Sequence, residues 1–184
     1  MKIDLSKFDH SKIKRKKSTF IRGSWLIVQS IFFDTSFPWP YKIKRLILRC
    51  FGAKIGKNGT LRSRLYIHSP WMLDIGDNCW IGDGCKLLSV EKITLEDNVA
   101  LAHEVYLAAG GHDISSASMA PKNKPIYIKS GSWLASTCFI AGGVTIGKNV
   151  VVSGGAVVFK DVEDNKIVSG NPAHIVSDRI IDAE

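Results

Sequence analysis

The feature that most constrains this chain is a six-residue repeat that runs from residue 55 to residue 163. Its first position is always aliphatic: Ile55, Leu61, Ile67, Ile75, Ile81, Leu87, Leu95, Leu101, Leu107, Ile128, Leu134, Ile140, Ile146, Val152 and Val158. On an α-helix, steps of six residues would spread these side chains over three faces, so a helix does not explain the pattern. A coil with three flat sides explains it, because each unit then forms one side with its first residue pointing inward.

The fourth position of the unit also favours a coil, because it is usually Asn, Asp or Gly, which tolerate the positive φ of a tight corner. These residues are Asn58, Asn78, Gly84, Asn98, Gly110, Gly131, Gly143, Asn149, Gly155 and Asp161. Three units complete one coil, and stacked coils bury a continuous column of aliphatic side chains. The sequence therefore predicts an all-β fold, a hexapeptide β-helix of about five coils that begin at Ile55, Ile75, Leu95, Ile128 and Ile146.

The regions outside the repeat define the rest of the organisation. Residues 113–127 contain Pro121 and Pro125, break the six-residue register and are predicted to leave the third coil as a loop. Residues 1–54 are predicted to form a basic arm and two helices, at 20–33 and 40–51, that cap the first coil and protect its strand edges. An apolar stripe of the second helix, formed by Ile43, Leu46, Ile47 and Phe51, is expected to pack on the coil. Residues 164–184 are predicted to contain a turn and a short closing helix.

Charge and cysteine content limit the partners. The net charge is +8, but the basic residues are not interleaved with aromatic residues in a nucleic-acid motif, so no nucleic acid is expected. The basic run at Lys12, Lys14, Arg15, Lys16 and Lys17 is interpreted as a solvated arm, and peripheral contact with the inner membrane surface is the alternative. Cys79, Cys85 and Cys138 occupy the fifth position of the repeat and are interpreted as core residues. Neither zinc nor disulfides are supported, so a cytoplasmic location is expected.

The repeat resembles a known enzyme family. The hexapeptide units, His112 at the mouth of the loop, and the closing run 142–173 look like the hexapeptide-repeat acyltransferases. Within that family, Trp25, the 38–41 segment, the 51–56 segment and Gly111-His112-Asp113 are most similar to the O-acetyltransferases of colanic acid biosynthesis. The resemblance implies a left-handed β-helix, a homotrimer, and acetyl-coenzyme A as acyl donor in a groove between neighbouring subunits.

The resemblance also implies a site. Acetyl transfer from a thioester to a sugar hydroxyl needs a base, and His112 is the candidate, while Asp113 either orients its ring or starts the loop. By position in the family motif, the donor would be bound by Ser136, Ala141, Gly142, Gly154 and Gly155. Lys160, which follows the last inward valine, and Arg179, as a substitute for basic residues that the family carries where this chain has His174 and Ser177, are added as candidates. Lys160 and Arg179 are expected to meet the phosphates. Asp83 and His103 are candidates for binding the acceptor.

The sequence leaves several functions open. The leading hypothesis is an acetyl-coenzyme A dependent O-acetyltransferase that modifies a sugar or oligosaccharide of a surface or exported polysaccharide. The main alternative keeps the donor and acetylates the nitrogen of an amino sugar or nucleotide sugar. A zinc site of the carbonic-anhydrase kind would require three converging histidines, a pattern that His68, His103 and His112 do not show. A non-catalytic scaffold is the remaining alternative.

Overall fold

The computed structural model describes residues 3–9, 13 and 16–182. Three sheets form the sides of a triangular prism. The first sheet contains β1 (Lys54–Ile55), β4 (Leu73–Ile75), β7 (Ile93–Leu95), β10 (Ile126–Ile128) and β13 (Thr145–Ile146). The second contains β2 (Thr60–Leu61), β5 (Trp80–Ile81), β8 (Ala100–Leu101), β11 (Trp133–Leu134), β14 (Val151–Val152), β16 (Lys166–Gly170) and β17 (Ala173–Asp178). The third contains β3 (Tyr66–Ile67), β6 (Lys86–Leu88), β9 (Tyr106–Ala108), β12 (Phe139–Ala141) and β15 (Val157–Val158).

The predicted hexapeptide coil is confirmed. All the aliphatic residues at the first position are buried, and each strand pairs in parallel with its equivalent one coil later, as Ile55 does with Ile75. Burial of such a side chain stabilises the fold by about 1.5–3 kcal/mol relative to exposure. Each sheet contains five coil strands, and β16 together with a bridge between Ile146 and Val162 begins a sixth coil.

The corners between the sheets explain the polar position of the repeat. We call the turns after the first, second and third sheets the first, second and third corners. Most of the predicted corner residues have positive φ, for example Asn58 at 56° and Gly84 at 74°, whereas Gly110 and Asp161 do not. At the second corner Arg64, Glu104 and Thr137 also adopt this conformation. The corners therefore require the left-handed conformation more strictly than they require Asn or Gly.

Two helices cover the first coil, close to where they are predicted. Helix α1 (Thr19–Phe32) begins after Ser18, whose hydroxyl accepts a hydrogen bond from the Ile21 amide, and α2 (Tyr41–Cys50) begins after Pro40. The Trp25 indole of α1 donates to the Ile67 carbonyl at 2.8 Å, and the Gln29 side chain accepts from the Ile67 amide at 2.9 Å. No helix in the described part of the chain is long and apolar enough to cross a bilayer.

The orientation of α2 differs from the prediction. Lys44 and Leu48 are its buried side chains, whereas Ile43 and Leu46 of the expected coil-facing stripe are exposed. The Lys44 ammonium donates to the Arg62 carbonyl at 2.6 Å, and the Arg49 guanidinium donates to the Ile55 carbonyl at 2.7 Å. Ile47 and Phe51 of the predicted stripe do pack against the core, beside the buried Leu48. The coil-facing side of α2 therefore combines apolar side chains with cations, because the first coil also presents carbonyl groups that have no further strand to bond.

The C-terminal prediction is wrong, and the boundary of the loop also differs. Residues 173–178 form strand β17, which pairs antiparallel with β16, instead of a closing helix. This pairing supplies partners to the backbone of the last strand. Strand β10 begins at Ile126, inside the stretch predicted as a loop, so the chain leaves the coil between Ala108 and Ile126. Lys12, Lys14 and Arg15 of the basic run lie outside the described residues.

Candidate active site

A cleft of about 370 Å³ lies beside the third corner of the first three coils. Its walls come from four separate segments of the chain: the N-terminal arm, α1, the third corner and the loop after β9. Phe8, Arg22, His68, Trp71, Gly110 and His112 line it. We call it the His112 cleft.

The position of His112 is fixed by a small hairpin in the loop. The Asp113 amide donates to the Ala120 carbonyl, and the Lys122 amide donates to the Gly111 carbonyl, both at 2.8 Å. Between these bonds, Nδ1 of His112 lies 2.7 Å from the Met119 carbonyl oxygen. A carbonyl oxygen can only accept, so Nδ1 carries a hydrogen and the lone pair of the neutral ring is on Nε2. The side chain is exposed, and the Phe8 ring lies 6.2 Å from it between centroids.

The Asp113 carboxylate makes its contacts within the loop and not with the His112 ring. Its carboxylate accepts from the Ser115 amide at 3.0 Å and lies 3.5 Å from the Lys122 ammonium. The Ser115 amide and the Lys122 charge lower the pKa of this carboxyl group. The Met119 carbonyl, rather than Asp113, therefore sets the orientation of the imidazole.

The two candidate acceptor residues meet at the second corner. The Asp83 carboxylate accepts from Arg62 Nε at 3.1 Å and from the Ser63 amide at 3.0 Å, and lies 3.5 Å from His103 Nδ1. Burial opposes ionisation of Asp83, but the Ser63 amide, Arg62 and His103 outweigh it and lower the pKa. Asp83, Arg62 and Ser63 line a second pocket of about 370 Å³ together with Tyr41 and Lys44, whereas His103 lies outside its lining.

The acceptor candidates and His112 are therefore not neighbours within one chain. The second and third corners lie at opposite ends of the strands of the third sheet, and a three-residue strand by itself spans roughly 10 Å. The predicted donor residues divide in the same way. Ser136, Gly154 and Gly155 belong to the second corner, whereas Ala141, Gly142 and Lys160 lie at the third corner with His112.

Gly142 lies directly under the base of the loop. A Cβ atom at this position would lie 3.1 Å from both the Ala108 and the Lys124 carbonyl oxygens. The close approach of the loop to the fourth coil therefore favours glycine at this position. The need for a small residue at this position is explained by packing, whatever the donor contacts.

Arg179 and Lys160, which are both predicted to bind the phosphates of the donor, do not lie together within the chain. The Arg179 guanidinium donates to the Gly131 carbonyl at 3.0 Å and to the Asn149 carbonyl at 3.2 Å. These carbonyls belong to the first corner, whereas Lys160 follows β15 at the third. Arg179 therefore holds the end of the chain against the coil, and of the two residues predicted to meet the phosphates only Lys160 lies at the third corner.

Three cleft residues, His68, Trp71 and Arg22, are absent from the sequence prediction. A 3-10 helix, Pro70–Met72, carries Trp71. It lies between Ile67 and Ile75, which are eight positions apart instead of the six of a regular unit. His68 Nδ1 lies 2.9 Å from the Ser69 hydroxyl, and burial followed by the charge of Arg22 lowers the pKa of His68. The break in the repeat after Ile67 was the available signal, since extra residues must project from the coil.

The residues that the structure describes contain no group of three or more His, Cys, Asp or Glu side chains arranged to hold a metal ion. His68 and His112 face the same cleft, but His103 lies at the second corner. The three histidines considered for a zinc site therefore do not converge.

Comparison with known proteins identifies the family. No family model matches the chain. WcaF of Escherichia coli, which carries the name of a colanic acid biosynthesis acetyltransferase, is 37% identical over 177 residues, covering 96% of this chain and 97% of WcaF. Galactoside O-acetyltransferase of Escherichia coli is 26% identical over 85% of this chain and 77% of its own length.

Solved structures show the same fold. Galactoside acetyltransferase in complex with coenzyme A superposes with a TM-score of 0.77 at 23% identity, covering 95% of this chain and 90% of the other. A hexapeptide-repeat acetyltransferase of Vibrio cholerae in complex with acetyl-coenzyme A gives 0.78 at 22% identity, with 88% of each chain covered. Together with the identity to WcaF over nearly the whole of both chains, these matches show that the protein belongs to the WcaF family of hexapeptide-repeat acetyltransferases and has their left-handed parallel β-helix.

Proposed function

We propose that this protein is an acetyl-coenzyme A dependent O-acetyltransferase that modifies a sugar hydroxyl in the biosynthesis of a surface or exported polysaccharide. The observation that carries the proposal is the hydrogen bond between His112 Nδ1 and the Met119 carbonyl, which leaves Nε2 as the basic atom. Family membership supports the acyl transfer, and the names of WcaF and of the galactoside enzyme support a saccharide acceptor.

The chemistry that this arrangement supports is direct transfer. Nε2 of His112 takes the proton of the acceptor hydroxyl while its oxygen attacks the thioester carbonyl of the donor. The tetrahedral intermediate collapses, the C–S bond breaks, and the imidazolium returns the proton to the departing coenzyme A thiolate. A positioned base of this kind contributes about 10²–10⁴-fold to the rate. The fixed Nδ1 hydrogen bond keeps the ring in the required tautomer through both proton transfers.

A homotrimer accounts for the separation of the predicted site residues. If the third sheet of each subunit faces a three-fold axis, the second and third corners lie on either side of this sheet. Each of these corners then meets the opposite corner of a neighbouring subunit. The third corner of one subunit, with His112, Gly142 and Lys160, would then lie against the second corner of the next, with Asp83 and His103. Aromatic side chains on the third sheet support burial of this face: Tyr66 is 38% exposed, and the half-buried Tyr106 and Phe139 have ring centroids 5.3 Å apart.

The test measures the release of free coenzyme A from acetyl-coenzyme A with a panel of oligosaccharides. The variant is His112→Ala, and the control is His174→Ala, which removes an exposed histidine on β17. We expect His112→Ala to lower kcat by about 10²–10⁴-fold and the control to leave it unchanged. Equal turnover of wild type and His112→Ala would remove His112 from the mechanism.

The same reaction distinguishes the acceptor atom. An O-acetyl ester is released by mild base, whereas an N-acetyl amide is retained, so product analysis separates the sugar hydroxyl from the amino group. A base-stable product would assign the protein to the N-acetyltransferases instead.

A further inference from the structure

The outward face of α1 contains no charged side chain. Its exposed positions are Thr19, Phe20, Gly23, Leu26, Ile27, Ser30 and Ile31. Phe20 is 84% exposed, Leu26 64%, Ile27 65% and Ile31 50%. Helices that face water normally have charged or polar residues on the exposed side, so this face is unusual for a solvent boundary.

Helix α2 and the segment between the helices also expose apolar side chains over the first coil. Leu46 is 60% exposed and Ile43 39%, while the basic side chains of Lys44 and Arg49 turn towards the carbonyls of the first coil. Phe37, 57% exposed, lies between the helices with its ring centroid 4.8 Å from that of Trp39. We call Phe20, Leu26, Ile27, Ile31, Phe37, Ile43 and Leu46 the cap face.

The net charge of the protein is concentrated in the segment of the chain that carries the cap face. Residues 16–57 contain nine basic side chains and a single acidic one, Asp34, an excess equal to the net charge of the whole chain. Lys17, Lys42, Lys54 and Lys57 are exposed cations of this segment. The remaining residues contain equal numbers of basic and acidic side chains. Exposed apolar side chains and concentrated positive charge therefore occur at the same end of the prism.

We infer that the cap face docks on the surface of a lipid bilayer that contains anionic phospholipids. A helix that is apolar on one side, flanked by lysines and carrying aromatic residues, binds in the plane of a membrane interface, with the apolar side chains between the acyl chains and the cations among the headgroups. Both helices are too short to span a bilayer, which fits a surface position. A second copy of the chain fits less well, because two cap faces in contact would bring two positive surfaces together.

The test measures binding of the full-length protein to vesicles by co-sedimentation. Vesicles of phosphatidylcholine alone are compared with vesicles that also contain phosphatidylglycerol. The variant Phe20→Ser/Ile27→Gln/Leu46→Gln changes only exposed side chains, and Ile180→Gln is the matched control, because Ile180 is 86% exposed at the opposite end of the prism. Circular dichroism establishes that each variant melts as the wild type does.

We expect the wild type and the control to bind vesicles that contain phosphatidylglycerol, and this binding to weaken as salt concentration rises. The triple variant should bind at least about tenfold more weakly. Failure of the wild type to bind these vesicles, or equal binding by the triple variant, would overturn the inference. A third result would also overturn it: the wild type self-associates in the ultracentrifuge, the triple variant does not, and neither binds vesicles. A second copy of the chain would then cover the cap face.

Discussion

Gln29→Leu tests whether the cap is held on the coil by hydrogen bonds to the first edge strand. Gln29 is only 6% exposed, and its side-chain oxygen accepts from the Ile67 amide at 2.9 Å. Ile67 belongs to β3, the edge strand of the third sheet. Leucine is similar in size but cannot accept a hydrogen bond, so the substitution leaves a buried N–H group without a partner. That costs about 1–3 kcal/mol.

In a protein of this length each kcal/mol shifts Tm by about 2–4 °C, so we expect Gln29→Leu to lower Tm by about 2–12 °C. Thermal unfolding followed by circular dichroism measures the shift. Ser30→Leu is the control. It makes the same kind of polar-to-apolar change at the next residue of α1, which is exposed. If Gln29→Leu melts at or above the wild-type temperature, the Ile67 amide does not depend on the cap and the reasoning is refuted.

Two further predictions concern the cysteines and Arg179. Burial raises the pKa of Cys85 to about 11 and of Cys138 to about 12. At pH 8, iodoacetamide should therefore modify the exposed Cys50 in the folded protein and reach Cys85 and Cys138 only after unfolding. Mass spectrometry counts the adducts, and labelling of Cys85 in the folded protein would contradict its burial. Arg179→Ala removes two hydrogen bonds to corner carbonyls and should cost about 1–3 kcal/mol of stability while changing the KM for acetyl-coenzyme A by less than about twofold. A larger KM with an unchanged Tm would return Arg179 to the donor site.

The coil could be predicted from the sequence because its repeat places the same physical demand on every unit. Each inward position faces the column of side chains above and below it, so an aliphatic residue recurs at Ile55, Ile75 and Leu95 and at every equivalent place. The corners were less predictable. Gly84 predicts a left-handed conformation at its corner, because glycine adopts positive φ readily. Arg64 and Glu104 adopt the same conformation at the second corner although their residue types do not predict it, because the strands on either side impose it.

The candidate site could be predicted only in part. His112 is visible in the sequence because the repeat stops there, and a loop at that point must leave the prism. The role of Met119 is not visible, because the pairing of the two arms of the hairpin brings its carbonyl to Nδ1. Arg179 is predicted to replace the basic residues that the family carries where this chain has His174 and Ser177, yet its side chain lies at the first corner, since β17 turns back along β16.

The two errors in the terminal regions share one cause, which is the need of an edge strand for hydrogen-bond partners. At the end of the coil, residues 173–178 meet this need as a strand, a conformation that Ile175 and Val176 favour. At the start, side chains meet it instead: Lys44 and Arg49 donate to carbonyls of the first coil. A helix that turns its cations inward must turn other residues outward, which on α2 are Ile43 and Leu46. The α2 part of the cap face is therefore a consequence of how the prism is closed, and a membrane surface would supply the burial that these side chains lack within the chain.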